Sequence, residues 1–473
     1  MWNGMKTQTA KRMDRFKTFL VAMTVCVAVS GCDRQREQPA SSASSQSTES
    51  ASVPEPLAWL LAPHVGASRL DEKIRKCQAQ LREGRNQEVV LERLGWLFVA
   101  KARESFDAGF YKLAEQCALA LELRKPGSHE AMLLRGHALQ NQHRFREAEP
   151  LARELVASRG LPLDYGLLGD VLMEQGQLSE AADACQKMID LRPDLHSYAR
   201  GAHIRWLKGD LDGAMEMMQA AVAASSPHDP DASAWTRTRL AALHFQAGAT
   251  ADAERACDEA MTLRPDYPPA LLMRGRILLA SDDRSAAIDV LERAVRANPL
   301  PEYQWTFAEA LRASGREQEA ADVEGRLRSH GAAGDPRTLS LYLATRGEEP
   351  QLAVRLAEEE FQQRQDVFTH DALAWALAAA GRLDEAQAHM SRALAEGTDD
   401  ARLWLHATVI AAKAGRHDEA SEWLEKAAAL ASLLLPSEVE QLETAAELLA
   451  NPELAHLPES FPATDAESSA GEN

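Results

Sequence analysis

From Glu55 onward, apolar residues recur at the spacing of one helical face rather than in the alternation of a strand. The clearest stretch is Pro162 to Asp194. Tyr165, Leu168, Gly169 and Leu172 share one face of a first helix. Gly176 ends it, because glycine enters the left-handed conformation at a helix C-terminus without steric penalty. Ala181, Cys185 and Met188 form the inner stripe of a second helix, which Pro193 prevents from continuing. The stretch predicts one helix, a glycine turn, a second helix and a proline stop.

The same unit repeats along the chain. An alanine early in each second helix recurs at 114, 148, 181, 214, 253, 287, 320, 353, 386 and 420, in steps of 33 or 34 with a single step of 39. Glycine precedes it by five residues at Gly109, Gly176, Gly209, Gly248, Gly315, Gly381 and Gly415, and prolines fall in phase at Pro126, Pro193, Pro265 and Pro299. The long step predicts a loop insertion at 225–233, and the unit at about 335–366 is the most degenerate, with Gly347 one residue out of phase. This pattern of small residues, glycine, alanine and proline over about 34 residues resembles the tetratricopeptide repeat. The resemblance implies an all-α, right-handed solenoid of about ten helix-turn-helix repeats over 95–430. A helical cap at 55–94 and a capping helix within 431–450 would close its ends, and the acidic tail 451–473 is expected to be disordered.

The N-terminus reads differently. Lys6, Lys11, Arg12, Arg15 and Lys17 precede an uncharged run from Thr18 to Ser30, as in a secretory signal. The run is too short to span a bilayer core of about 30 Å. It ends Val29-Ser30-Gly31-Cys32, which resembles a bacterial lipobox and implies cleavage after residue 31 and lipid on Cys32. Met13 begins a segment that is itself a complete signal of this kind. Asp33 resembles the residue that retains enterobacterial lipoproteins in the inner membrane, a rule that does not extend to all bacteria, so either membrane remains open. The Ser/Ala/Gln-rich segment within 32–54 cannot bury enough surface to order itself and reads as a tether. These features place the chain in the bacterial cell envelope, lipid-anchored and facing the periplasm.

Composition narrows the function. A net charge of −19 disfavours nucleic acid, which requires a basic footprint. Aromatics at 5% suit alanine-rich helix packing better than a sheet core. No phosphate loop, dinucleotide glycine motif, HExxH or GxSxG occurs, histidines are scattered singly, and the cysteines match no zinc or redox spacing. The sequence therefore predicts no enzyme, cofactor or metal. Cys185 and Cys257 read as core residues; Cys77 and Cys117 are the one pair that an oxidising compartment would offer for bonding.

What remains is a binding surface. In the repeat family the first helix of each unit lines the concave face, and the resemblance carries Trp206, Trp235, Phe245, Arg276, Trp305, Arg312, Phe368 and Trp375 onto it. Aromatics with arginines suit an extended peptide or a partner helix from an envelope protein. The lysine–asparagine clamp for chaperone tails is absent, since Gly166, Asp170, Ala199 and His203 stand in its place. Binding of exopolysaccharide or cell wall, and service as an accessory subunit of an enzyme, are the alternatives.

Overall fold

The computed structural model describes residues 55–226 and 228–451. The targeting segment, Cys32, the tether and the acidic tail after Asn451 lie outside them. Every regular element among the described residues is helical. Helices α1 (Glu55–Leu60) and α2 (Arg69–Arg82) come first. Ten helix pairs follow. The first five are α3 (Gln87–Ser105) with α4 (Gly109–Arg124), α5 (His129–Gln140) with α6 (Phe145–Ser158), α7 (Pro162–Glu174) with α8 (Leu178–Leu191), α9 (Leu195–Leu207) with α10 (Leu211–Ala223), and α11 (Pro230–Gln246) with α12 (Thr250–Leu263). The next five are α13 (Pro268–Ala280) with α14 (Arg284–Ala297), α15 (Pro301–Ala313) with α16 (Glu317–Gly334), α17 (Pro336–Arg346) with α18 (Pro350–Gln363), α19 (Val367–Ala379) with α20 (Leu383–Leu394), and α21 (Ala401–Lys413) with α22 (His417–Ala429). A 3₁₀ turn at Ala431–Leu433 leads to α23 (Pro436–Ala450).

The alanine cadence is the packing device of this array. All ten marker alanines are fully buried, because each sits where the two helices of its pair cross and a larger side chain would hold them apart. In the third pair the partner position is Gly169, where a Cβ would lie 2.8 Å from Cys185 Sγ and 3.4 Å from the Ala181 carbonyl oxygen. Polar starts are supplied locally: Ser128, Asp194, Asp283 and Asp366 each accept a backbone N–H of the helix they precede.

Three details depart from the sequence pattern. Gly109 begins α4, and the left-handed residue of the first pair is Phe106. His143 and Asp282 take the same left-handed conformation in the second and sixth pairs, so the turn imposes it whether or not glycine is present. The insertion is partly helix, since Asp229 accepts the Ala232 N–H and Pro230 sits in the first turn of α11. In the degenerate eighth unit α17 has only 11 residues and ends at Gly347 in the left-handed region.

The array also closes on itself. The Gln365 N–H donates to the Glu174 carbonyl (2.9 Å), Thr398 Oγ1 to the Leu207 carbonyl (2.6 Å), Trp206 Nε1 to the Asp399 carbonyl (3.0 Å) and Gln246 Nε2 to Asp400 Oδ2 (2.7 Å). Lys208 pairs with Glu396. The turns inside the early pairs therefore stack on the connections between the late pairs, about 190 residues further along the chain. Helix α23 does more than the expected end-capping. Leu448 and Leu449 cover Ala411, Ala412 and Ala420, whereas its first turn reaches inward to α15 and α21.

Candidate interaction surface

The first helices of the pairs face the inside of the curve, and the structure shows what each expected groove residue meets there. Trp206, Phe245, Trp305 and Trp375 are buried at 8, 2, 2 and 3% exposure. Trp235, Arg276, Arg312 and Phe368 are half-buried. A buried tryptophan needs a partner for its N–H, and here each finds one in the chain itself. Trp305 Nε1 donates to Glu309 (2.9 Å) beneath the Arg402 guanidinium, and Trp375 Nε1 donates to Thr345 Oγ1 (3.0 Å) while its ring stacks on His406 at 4.2 Å. Phe368 packs on Trp206 across the closure. Arg312 turns to Glu317 and Glu324 of α16, in its own pair. Arg276 lies over the Phe245 ring and donates to the Leu433 carbonyl. Most of the expected groove rings, in the fourth and fifth pairs as well as the later ones, are thus consumed in internal packing.

The early repeats present a different inner face. Trp96 is half-buried and tilts against His137, whose Nε2 lies 3.0 Å from Arg103 Nη2. Arg200 makes a two-point pair with Asp170 at 2.7 and 2.8 Å, and Gln140 donates to the same carboxylate. Arg239 lies 3.3 Å from His203 Nδ1. Trp235 packs beside Ala234, Ala260, Tyr267 and Ala270. Selecting for rings and arginines at four positions of the first helix missed Arg103, His137, Arg200 and Arg239. The signal was present for two of them, since Arg103 and His137 stand eleven residues before their marker alanine, as do Asp170, His203, Arg276 and Glu309, whereas Arg200 and Arg239 share a different offset of fourteen.

Burial shifts several cations and histidines of the inner face and of the closure. Burial pulls Arg103, Arg239 and Arg276 below the ordinary guanidinium value. Burial, helped by nearby arginines, holds His143 at about 3, His196 at about 4 and His203 at about 3. An unfolded histidine takes up its proton near 6.5, so on acidification the unfolded chain binds protons first. The stabilisation is complete above pH 6.5 and is lost as pH falls toward the folded values. Each of the three is expected to remove on the order of 1 kcal/mol per pH unit around pH 5.5. Urea denaturation at pH 7.0, 6.0 and 5.2 should show a falling midpoint, and His143→Gln with His203→Gln should make the fall shallower, with His196 still contributing. A midpoint unchanged over that range would contradict the enclosure described here.

Cys77, Cys117, Cys185 and Cys257 are buried free thiols, with Cys77 and Cys117 in one N-terminal cluster. Among the described residues no three His, Cys, Asp or Glu side chains form a metal-ligating group, and no helix is long and apolar enough to cross a membrane.

Family models of the tetratricopeptide repeat match residues 133–196, 244–313 and 377–432. The chain therefore carries such repeats, and the ten stacked pairs are an all-α solenoid of that type. A solved structure described as the crystal structure of the APC/C hetero-tetramer Cut9-Hcn1 is similar, with 14% identity and a TM-score of 0.42 over 78% of this chain and 62% of that chain. This chain accordingly spans less than two thirds of that one. No curated protein matches it in sequence.

Proposed function

We propose that this repeat array is a non-catalytic scaffold, held at a membrane of the bacterial cell envelope by lipid on Cys32. There it binds a protein or extended peptide of that compartment through the concave face of its early repeats. Tetratricopeptide repeats support a role in protein interaction; the anchor and the compartment rest on the lipobox-like sequence. The observation that carries the choice of surface is the contrast among the rings of the inner face. Late rings such as Trp305 and Trp375 are satisfied by the chain's own atoms, whereas Trp96 and Trp235 keep part of their surface exposed beside Arg103 and Arg239. Rigidly stacked helices pre-order such a face, so a ligand meets it without a further ordering penalty.

The test is capture of a partner by the tagged full chain from detergent-solubilised envelope membranes. One dominant protein should co-purify, and Trp96→Ala with Trp235→Ala should reduce it at least ten-fold while the circular-dichroism melt still shows a folded helical array. Undiminished capture would move the site elsewhere. Recovery of glycan in place of protein would favour the exopolysaccharide alternative.

A further inference from the structure

We propose that the inner face of the late repeats is a receptor for an amphipathic helix, occupied in this structure by the chain's own α23 and available to a partner helix with the same chemistry: a leucine-rich leader followed by a first-turn Ser-Glu pair. This deepens the scaffold reading by naming a second docking surface and the kind of partner it takes.

The argument begins with how α23 is seated. Leu433, Leu434 and Leu435 of its leader, with Leu442 and Ala445 one face further along, are buried. That apolar stripe supplies the affinity expected of a helix laid in a groove. Its placement is specified by polar contacts from separate repeats. Ser437 donates from both its backbone N–H (3.0 Å) and its hydroxyl (2.6 Å) to the two oxygens of Glu309 on α15. Glu438 pairs with Arg402 of α21 and accepts the Leu435 N–H. Gln441 donates to the Thr345 carbonyl at the end of α17 (3.1 Å), and Arg276 of α13 donates to the Leu433 carbonyl (3.2 Å).

This seat has the properties of a recognition site. Glu309 is 3% exposed and Glu438 is fully buried, and a buried ion pair sets orientation more than it adds stability. Without α23 the face would expose Glu309 on α15, left with Trp305 Nε1 alone of its three donors, and the Arg402 guanidinium on α21 without the Glu438 carboxylate. Those two groups ask for a helix N-terminus that offers N–H and hydroxyl donors and, one residue later, a carboxylate. An open crevice of about 360 Å³, lined by Leu279, Ala280, Leu434 and Val439 among others, runs beside the 431–439 segment at the ends of α13 and α15. Only the short connection 430–435 ties α23 to α22, so the helix can leave its seat without unthreading another element.

The probe is a fluorescein-labelled peptide of residues 430–451, titrated by anisotropy into the full chain. The wild-type chain should bind it weakly because α23 competes. Full-length Ser437→Ala with Glu438→Lys, designed to release α23 and leave the face intact, should bind it at least ten-fold more tightly, and adding Arg402→Ala should abolish that gain. Equal binding by the wild-type and released chains overturns the proposal. So does dimerisation of the wild-type chain by exchange of α23 without uptake of the peptide, which would assign the face to a second copy. Hydrogen exchange on the wild-type chain keeps the test decisive if the released variant does not fold: α23 amides should exchange at least ten-fold faster than those of α21, and equal protection counts against displacement. A partner captured equally by wild-type and released chains and lost with Trp96→Ala and Trp235→Ala would leave the scaffold reading standing even if the peptide titration overturns this one. Absence of any captured partner would remove the scaffold reading while the peptide titration still judges the groove.

Discussion

Asp170→Ala is expected to destabilise the early repeats by about 3–5 kcal/mol, the range for a buried ion pair that loses one member. Asp170 and Arg200 are 2 and 4% exposed, and their two-point pair bridges α7 and α9 with Gln140 of α5 as a third participant. Removing the carboxylate leaves the Arg200 guanidinium enclosed beside His137, His196 and Arg103, whose charges already act on one another. Replacing both partners by apolar residues, Asp170→Leu with Arg200→Met, removes the orphaned charge and is expected to recover most of the loss. Repeat arrays need not unfold in one step, so amide hydrogen exchange in α7 and α9 is the appropriate measurement beside the urea midpoint. If Asp170→Ala shifts neither more than a surface substitution does, this pair does not organise the early repeats.

Gly209→Ala should open the closure between early and late repeats without unfolding the pairs themselves. Gly209 has φ of +75°, and a Cβ there would lie 2.4 Å from the Gly397 carbonyl oxygen, a backbone atom flanked by the Thr398 and Trp206 hydrogen bonds. The left-handed conformation costs an alanine roughly 1–2 kcal/mol, and collision with backbone adds on the order of 1–3 kcal/mol. Gly381→Ala separates the two contributions, because its φ is also +75° and nothing lies within 4 Å of its Cβ position. In small-angle X-ray scattering the Gly209 variant should show a larger radius of gyration than the wild type, and the Gly381 variant should not. Each helix pair is held mainly by its immediate neighbours, so helicity by circular dichroism should be preserved in both. Identical scattering from the two variants would mean that this contact does not hold the closure.

Some of the architecture was readable at the level of single residues. Ala181 and its nine counterparts are spaced by the length of a helix pair, and a side chain that small at a fixed phase has a local cause: two helix axes must approach there. The left-handed turns were legible wherever glycine occupied them and hidden where Phe106, His143 and Asp282 did, since nothing in those side chains announces a positive φ. The extra turn at the start of α11 was hidden for a related reason. Asp229 and Pro230 read equally well as loop residues or as a helix start until the structure placed them.

The inner surface was less legible. Projecting onto the first helices identified positions that point inward, and Arg276 and Trp305 are indeed met there by other parts of the chain. Which inward side chain stays open depends on what crosses the curve in front of it. Arg402 over Trp305 comes from three repeats further along, and Leu433 opposite Arg276 lies 157 residues away. No local pattern carries contacts of that range.

Taken alone, the amino-acid sequence determined that this chain is a row of helix pairs, how many there are and, where glycine marks it, where a pair turns, because those properties depend on residues within one unit and its neighbour. Tertiary structure alone decided that the row closes after about 190 residues, that α23 returns to the inner face, and that Trp96 and Trp235 stay partly exposed whereas Trp206 and Trp305 do not. The pitch of a solenoid is the sum of small rotations between successive pairs, and such a sum becomes visible only where distant repeats meet.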